Sequence, residues 1–175
     1  MKTLSAVCAL ACLVLVSASD VPDVQADPEV DVGDWDTYCP TAFPGLCKSQ
    51  SFTEGHTVYT YFTHHLNFTD AEMFCRRKYR DGHLASIHSY RINRLVTCLT
   101  THCNHAARVW IGGFELFRSG RFTWTDGTHW DYSPWIAGFP VRFTQACVEL
   151  NWNIRGTWSD HSCYLRKPFV CKHSF

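Results

Sequence analysis

Val109-Trp110-Ile111-Gly112-Gly113 is the stretch of this 175-residue chain that says most about its fold. An aromatic and β-branched run predicts a buried strand, and two consecutive glycines predict that neighbouring backbone or rings approach closely. On the C-terminal side, short apolar pieces alternate with Gly and Pro, and six of the seven tryptophans lie at or after Trp110. The stretch therefore predicts a loop-rich core built around large aromatic side chains.

The N-terminal side of this stretch carries strand and helix patterns. Residues 58–62 are β-branched and aromatic, which predicts a strand. Thr69 and Glu72 form a capping box, which predicts a helix from residue 69 to about residue 79. Residues 84–87 predict a short strand, and apolar residues spaced by three and four predict a second helix over residues 89–101.

Charge and hydropathy divide the chain into three parts. Residues 1–19 have a basic start, an apolar run and small residues, the order of a secretory signal peptide. Residues 20–36 contain seven acidic and no basic residues, which predicts an extended acidic leader. Residues 37–175 contain 15 basic and nine acidic residues, so this domain has a net charge of +6 although the whole chain is neutral. A basic domain attracts anionic partners, and the leader either masks this charge or is only a solubilising tail.

The cysteines left after signal removal are even in number and indicate disulfides in a secreted domain. They are Cys39, Cys47, Cys75, Cys98, Cys103, Cys147, Cys163 and Cys171. A local Cys98–Cys103 bridge is the favoured interpretation of the middle pair. A zinc site at Cys98, His102, Cys103 and His105 is the less favoured alternative, because secreted thiols oxidise readily.

A set of motifs runs in a fixed order from Cys75 to Cys171. It comprises Cys75, the strand motif 83–87, Trp110-Ile111-Gly112-Gly113, the motif 122–127, Trp135, Pro140, Cys147, Trp158-Ser159-Asp160, Cys163 and Phe169-Val170-Cys171. As a set they resemble the C-type lectin-like domain family. The resemblance implies an α+β fold of two helices, two small antiparallel sheets and a long loop region, stapled by disulfides.

The resemblance also assigns roles to individual residues. It implies the disulfides Cys75–Cys171 and Cys147–Cys163, and it suggests Cys39–Cys47 for an N-terminal hairpin. Cys39 or Cys47 could instead bridge two chains in a homo-oligomer. It further implies that Trp110, Trp124 and Trp158 belong to the core, whereas Trp135 begins the loop that binds sugar in true lectins.

The calcium ligands of sugar-binding members are mostly replaced in this sequence. The family's Glu-Pro-Asn tripeptide falls on Phe139-Pro140-Val141, and a further acidic ligand falls on Gln145. The family's Asn-Asp pair falls on Ser159-Asp160, so one family carboxylate remains. Calcium requires about 6–8 oxygen ligands. We therefore expect no calcium, no other metal and no cofactor.

Within the family, the chain most resembles the eosinophil granule major basic protein (bone-marrow proteoglycan) branch and fish-type secreted lectins. Cys75-Arg76-Arg77-Lys78-Tyr79 and Leu165-Arg166-Lys167-Pro168-Phe169 carry this closer likeness. That branch also joins an acidic leader to a basic domain, but the charge of +6 is mild beside it. The resemblance favours a secreted protein, stored in granules or released, that acts in innate defence.

The predicted function is calcium-independent binding of anionic glycans such as heparan sulfate, since Arg and Lys pair strongly with sulfate. The candidate ligand-binding residues are Arg118, Arg121, Trp135, Arg142, Gln145, Arg155, Asp160, Arg166 and Lys167. A neutral-sugar lectin and an ice-binding or structural protein are the alternatives. The ten histidines suggest stronger binding at mildly acidic pH.

The remaining expectations concern modification, catalysis and other partners. Asn67-Phe68-Thr69 is an N-glycosylation acceptor, which predicts a glycoprotein. The sequence contains no hydrolase or phosphate-binding motif, and a Glu149–Asp160 carboxylate pair alone would not establish glycosidase chemistry. We expect no enzyme, no nucleic-acid partner and no stable membrane insertion.

Overall fold

A computed structural model describes Cys39 and residues 50–101, 108–141 and 146–175. Within these residues lie two helices, α1 (Phe68–Lys78) and α2 (Tyr90–Thr101). The described strands are β1 (Gln50–Glu54), β2 (Thr57–Leu66), β3 (His83–Leu84), β4 (Val109–Glu115), β5 (Phe122–Trp124), β6 (Ala146–Leu150), β7 (Trp158–Ser162) and β8 (Lys167–Ser174). The predicted strand at 58–62 and the two predicted helices are confirmed. No helix among the described residues has the length and apolarity that a membrane crossing requires.

The described strands form one hydrogen-bonded sheet in the order β1-β2-β8-β4-β6-β7, with β3 added to β8 and β5 added to β4. The α+β class and the two helices are as predicted, but two separate antiparallel sheets are not. The reason is a parallel contact between Trp110 in β4 and Phe169 in β8, which joins the two halves. The remaining strand pairs are antiparallel.

Helix α1 begins differently from the capping-box prediction. Its N-cap is Asn67, whose side-chain oxygen accepts a hydrogen bond from the backbone N–H of Asp70 at 2.8 Å. Glu72 does not reach back to the helix start; it accepts hydrogen bonds from Leu84 N at 2.8 Å and lies 2.7 Å from His83 Nδ1. The capping box is therefore wrong, because an Asn two positions earlier satisfies the helix end and leaves Glu72 to fasten α1 to β3.

The two glycines of the Trp110-Ile111-Gly112-Gly113 stretch are required by close packing. A Cβ on Gly112 would lie 2.6 Å from the carbonyl oxygen of Leu84, and one on Gly113 would lie 2.9 Å from the Trp130 ring. Trp110 is fully buried, and its indole N–H donates to the carbonyl oxygens of Leu66 and Leu165, both at 3.2 Å. Close packing and hydrogen bonds therefore join this strand to the segments around Leu66, Leu84, Trp130 and Leu165.

The core confirms the prediction for three tryptophans. Trp110, Trp124 and Trp158 are at most 2% exposed. The Trp158 indole N–H donates to Asn93 Oδ1 at 2.9 Å, which connects β7 to the buried face of α2. These rings supply the large contact area that a loop-rich domain needs.

Three disulfides lie among the described residues. Cys75–Cys171 and Cys147–Cys163 are as the resemblance implied. Cys98, however, pairs with Cys39, so neither the local Cys98–Cys103 bridge nor the Cys39–Cys47 bridge forms, and Cys98 is not available as a zinc ligand. Cys47, Cys103, His102 and His105 lie outside the described residues. The local pairing was wrong because Cys98, buried on α2, is already bonded to Cys39, which packs against the same core.

Candidate functional site

The loop that binds sugar in lectins is anchored here by aromatic packing. Trp135 is bracketed by two backbone hydrogen bonds, Ile136 N to Trp158 O and Trp158 N to Pro134 O, both at 2.9 Å. Its half-buried ring lies 4.9 Å from the Phe122 ring. Trp135 therefore acts as an anchor of the loop and offers only part of its surface to a ligand.

The residues at the family's calcium position do not fit a calcium ion. Phe139 and Val141 supply no side-chain oxygen, and Asp160 is fully buried with its Oδ1 accepting from Val141 N at 2.7 Å. Ser159 donates its hydroxyl to Glu149 Oε1 at 2.8 Å, on the other face of the strand pair. Gln145 lies outside the described residues. The described donor set is thus far short of the 6–8 oxygens that calcium requires.

Glu149 is the centre of a buried ionic cluster. It has no exposed surface, and its carboxylate lies 2.8 Å from Arg108 Nη2 and 2.6 Å from Lys167 Nζ. His161 Nε2 lies 3.4 Å away, and the Arg108 guanidinium stacks 3.9 Å from the Trp152 ring centroid. Burial lowers the pKa of Lys167, opposed by Glu149. Two cations on one carboxylate make this a structural centre with a residual positive charge.

The structure places the described candidate ligand residues on several different elements, and two of them, Asp160 and Lys167, are buried. Arg118 and Arg121 are exposed on the turn between β4 and β5. Arg166 is exposed and donates to the His65 carbonyl oxygen at 3.2 and 3.3 Å. Lys167 points inward to Glu149 and is 7% exposed. Arg155 is half-buried in the turn between β6 and β7, and Arg142 lies outside the described residues.

A basic surface that the list of candidates omitted lies at the C-terminal end of α1. We name Arg76, Arg77, Lys78 and Arg80 the basic end of α1; all four side chains are exposed. Among the described residues, the ion pair at this surface joins Arg80 to Asp81 at 4.0 Å, and both side chains are almost fully exposed. Cations are favoured at this end of a helix by its dipole. The sequence shows this surface as four cations within residues 76–80. A net charge counted over the whole domain does not reveal such a local cluster.

A histidine at the edge of the loop region superficially resembles a catalytic arrangement. His88 Nε2 lies 3.0 Å from Ser86 Oγ, and His88 Nδ1 lies 2.8 Å from Asp131 Oδ1. A nucleophilic serine must be accessible and must give its proton to the histidine. Ser86 is fully buried and its hydroxyl donates to Asp126 Oδ2 at 2.7 Å, so this geometry holds the loop in place and does not activate a nucleophile.

Two carboxylates also fail to form a catalytic pair. The β6–β7 register sets Glu149 opposite Ser159 and Val148 opposite Asp160. Since successive strand residues point to opposite faces, the Glu149 and Asp160 carboxylates lie on opposite sides of the sheet.

The predicted glycosylation site lies at the start of α1. Asn67 is half-buried, and its side-chain amide donates to Asp70 Oδ2 at 2.8 Å. A glycan would be attached at this same amide nitrogen. The modification stays a prediction, and it would replace the Asp70 contact while leaving the helix cap through Oδ1.

Comparisons with known proteins agree with this architecture. The model of the lectin C-type domain family matches residues 64–173. A lectin of Pleurodeles waltl is 35% identical over 122 residues, covering 68% of this chain and 71% of that protein. Eosinophil granule major basic protein 1 of Cavia porcellus is 35% identical over 163 residues, covering 86% of this chain and 65% of that protein.

A solved structure with the same fold is that of a calcium-independent type II antifreeze protein. It superposes with a TM-score of 0.62 at 27% identity, covering 74% of this chain and 95% of the other. The family match, the relatives and the shared fold confirm the resemblance that the ordered motifs indicated. The chain belongs to the C-type lectin domain family.

Proposed function

We propose that this protein is a secreted lectin-like protein that binds anionic, sulfated glycans without calcium, through the basic end of α1. The observation that carries the proposal is the group of exposed cations at Arg76, Arg77, Lys78 and Arg80, which lack a buried acidic partner. Charge-assisted bonds to sulfate would satisfy several of these side chains at once. A role in innate defence is part of the same proposal.

The surroundings of the basic end of α1 support a binding surface. Tyr79 stacks on His173 with ring centroids 4.0 Å apart, and Lys78 Nζ lies 5.7 Å from the Tyr79 centroid. This packing holds the chain rigid where it leaves the helix. A rigid cationic surface binds a polyanion with less loss of side-chain entropy than a mobile one.

Calcium independence is supported by the chemistry of the former ligand positions. The one remaining family carboxylate, Asp160, is already hydrogen-bonded to Val141 N. Its burial leaves it no access to an ion shared with solvent-exposed sugar hydroxyls. Glycan binding at the basic end of α1 would require neither this carboxylate nor an ion.

Ice binding is the second candidate function, and it rests on the fold shared with the calcium-independent type II antifreeze protein at 27% identity. Thermal hysteresis of a cooled solution of the protein tests it directly. A neutral-sugar lectin remains the other alternative, and inhibition by free monosaccharide but not by salt would favour it.

Elution from immobilised heparin tests the proposed function. The protein should bind at low salt and elute as salt rises, because ionic contacts are screened. The Arg76→Gln/Arg77→Gln variant should elute at lower salt than the wild type. The Arg118→Gln/Arg121→Gln variant removes the same charge from a different surface and serves as the matched control.

Three results are distinguishable. Earlier elution of the first variant alone supports the basic end of α1 as the site. Equal weakening of both variants would show that net charge, and not this surface, governs binding. Passage of the wild type through the column at low salt would contradict anionic-glycan binding altogether.

A further inference from the structure

A cavity of about 650 Å³ opens between the start of α1 and the end of β4. Phe68, Thr69 and Glu72 of α1 form one wall, and the segment 114–118 forms the other. Thr125, Ala146 and the Cys147–Cys163 disulfide complete the lining. This volume is within the range of small-molecule sites, about 300–1,000 Å³.

Three phenylalanines, Phe68, Phe114 and Phe117, contribute aromatic surface to the cavity. The Phe68 and Phe114 rings lie 6.3 Å apart, and Phe117 at the mouth is 97% exposed. Phe117 and Arg118 both have positive φ, 46° and 57°, a conformation that costs roughly 1–2 kcal/mol per L-residue. A strained turn that exposes a whole phenyl ring does not stabilise the fold. We therefore interpret the Phe117 ring as a contact for a ligand.

The polar groups of the cavity are acidic and hydroxylic. Glu115 uses Oε1 to accept from Gly120 N at 2.8 Å, and no described residue donates to its Oε2. Thr125 Oγ1 is buried and has no hydrogen-bond partner among the described residues. Glu72 also lines the cavity, but Leu84 N and His83 already engage its carboxylate, so Glu115 is the carboxylate available to a ligand. Among the described lining residues, two are acidic and one, Arg118, is basic.

We infer that this cavity binds a small organic cation, an ammonium group joined to an apolar body. Aromatic faces attract ammonium groups within about 6 Å of the ring. The free oxygen of Glu115 is the charge partner for the ammonium, and the Phe68 and Phe114 rings hold the apolar part. An anionic glycan is disfavoured here, so this site is separate from the proposed function and does not depend on it.

Titration of the isotopically labelled full domain with 2-phenylethylamine, followed by backbone amide chemical shifts, tests the inference. We expect saturable shifts at Phe117, Thr125 and Ala146, with 2-phenylethanol binding about tenfold more weakly. Glu115→Gln keeps an oxygen for Gly120 N and should abolish the preference for the amine. Phe117→Ala, at an exposed position, should weaken both probes.

Three outcomes would contradict the inference. Equal affinity for the amine and the alcohol in the wild type would show a merely apolar cleft. Shifts absent from the cavity, or unchanged by Glu115→Gln, would overturn the inference. Retention of heparin binding in Glu115→Gln would confirm that the variant is folded and that the two sites are independent.

Discussion

Asp160 in β7 and Val141 in the long loop are joined by a hydrogen bond of 2.7 Å from the Val141 backbone N–H to the Asp160 carboxylate. Asp160 is fully buried. The resemblance matches Asp160 to a calcium ligand of sugar-binding members, and here its carboxylate fastens the long loop to β7 by a hydrogen bond within the chain.

The first prediction is that this bond, and not calcium, stabilises the loop. Asp160→Ala leaves a backbone N–H without its acceptor and should lower the free energy of unfolding by about 1–3 kcal/mol. Asp160→Asn retains an oxygen and should cost less. Urea unfolding measures both, and a wild-type midpoint that rises on adding calcium would contradict the account.

The second prediction concerns Glu149. Glu149→Gln leaves Lys167 and Arg108 without their buried counter-charge and should lower the free energy of unfolding by about 3–5 kcal/mol. Glu54→Gln, which breaks the solvated pair with Arg91, is the matched control and should cost no more than about 1 kcal/mol. Similar losses in both variants would show that the buried Glu149 cluster contributes no more to the free energy of unfolding than a solvated ion pair.

The third prediction is the disulfide between Cys39 and Cys98. A digest of the secreted, unreduced protein should contain the peptide of Cys39 linked to the peptide of Cys98, as their paired geometry requires. Reduction should release the two peptides together. Mass spectrometry that instead finds Cys98 linked to Cys103 would restore the local pairing and contradict the position of α2 beside Cys39.

The fourth prediction is a loss of stability at mildly acidic pH. Burial lowers the pKa of His161; Glu149 opposes this and Arg108 and Lys167 reinforce it. Below the unfolded imidazole pKa of about 6.5, the unfolded chain therefore takes up a proton that the folded protein resists. The free energy of unfolding should fall between pH 7.5 and 5.5, and His161→Gln should flatten this dependence. An identical slope in the variant would be the contrary result.

A second acidic transition belongs to Asp126. Burial alone would raise its pKa, but hydrogen bonds from Lys172, Thr128 and Ser86 together outweigh it and set the pKa well below the usual range. The stability it contributes is present above the unfolded carboxyl pKa of about 3.9 and is lost as the pH falls further. The Asp126 transition therefore lies at lower pH than the His161 transition and does not overlap it.

The histidines bear on the predicted gain of binding at acidic pH. The pKa of His64 is lowered by burial and by His65, and that of His161 is lowered as well. These two imidazoles stay neutral at pH values where a solvated histidine is charged. The predicted acid enhancement therefore does not come from these two side chains.

Much of the fold followed from local sequence patterns. The strand signal of residues 58–62 and the helix signal of residues 89–101 are contained in the local sequence. The burial of the core tryptophans follows from the size of their side chains. The ordered motifs added the Cys75–Cys171 and Cys147–Cys163 pairs. These features depend on neighbours in sequence or on a family pattern, so they could be predicted.

Other features depend on contacts that sequence spacing does not reveal. Lys167 is a residue type common in ligand-binding surfaces, but its side chain turns inward to the buried Glu149 carboxylate, 2.6 Å from its Nζ. Cys98 meets Cys39 over a separation of 59 residues. The basic end of α1 was visible as a run of cations, yet its exposure depends on which helix face the core covers.

The most direct test of calcium-independent anionic-glycan binding is a glycan array probed with the secreted protein in calcium and in EDTA. The account predicts signal on sulfated glycans that is equal in both buffers and reduced in Arg76→Gln/Arg77→Gln. Signal on neutral sugars that EDTA removes would contradict it, since it would require a calcium site that the described residues do not form.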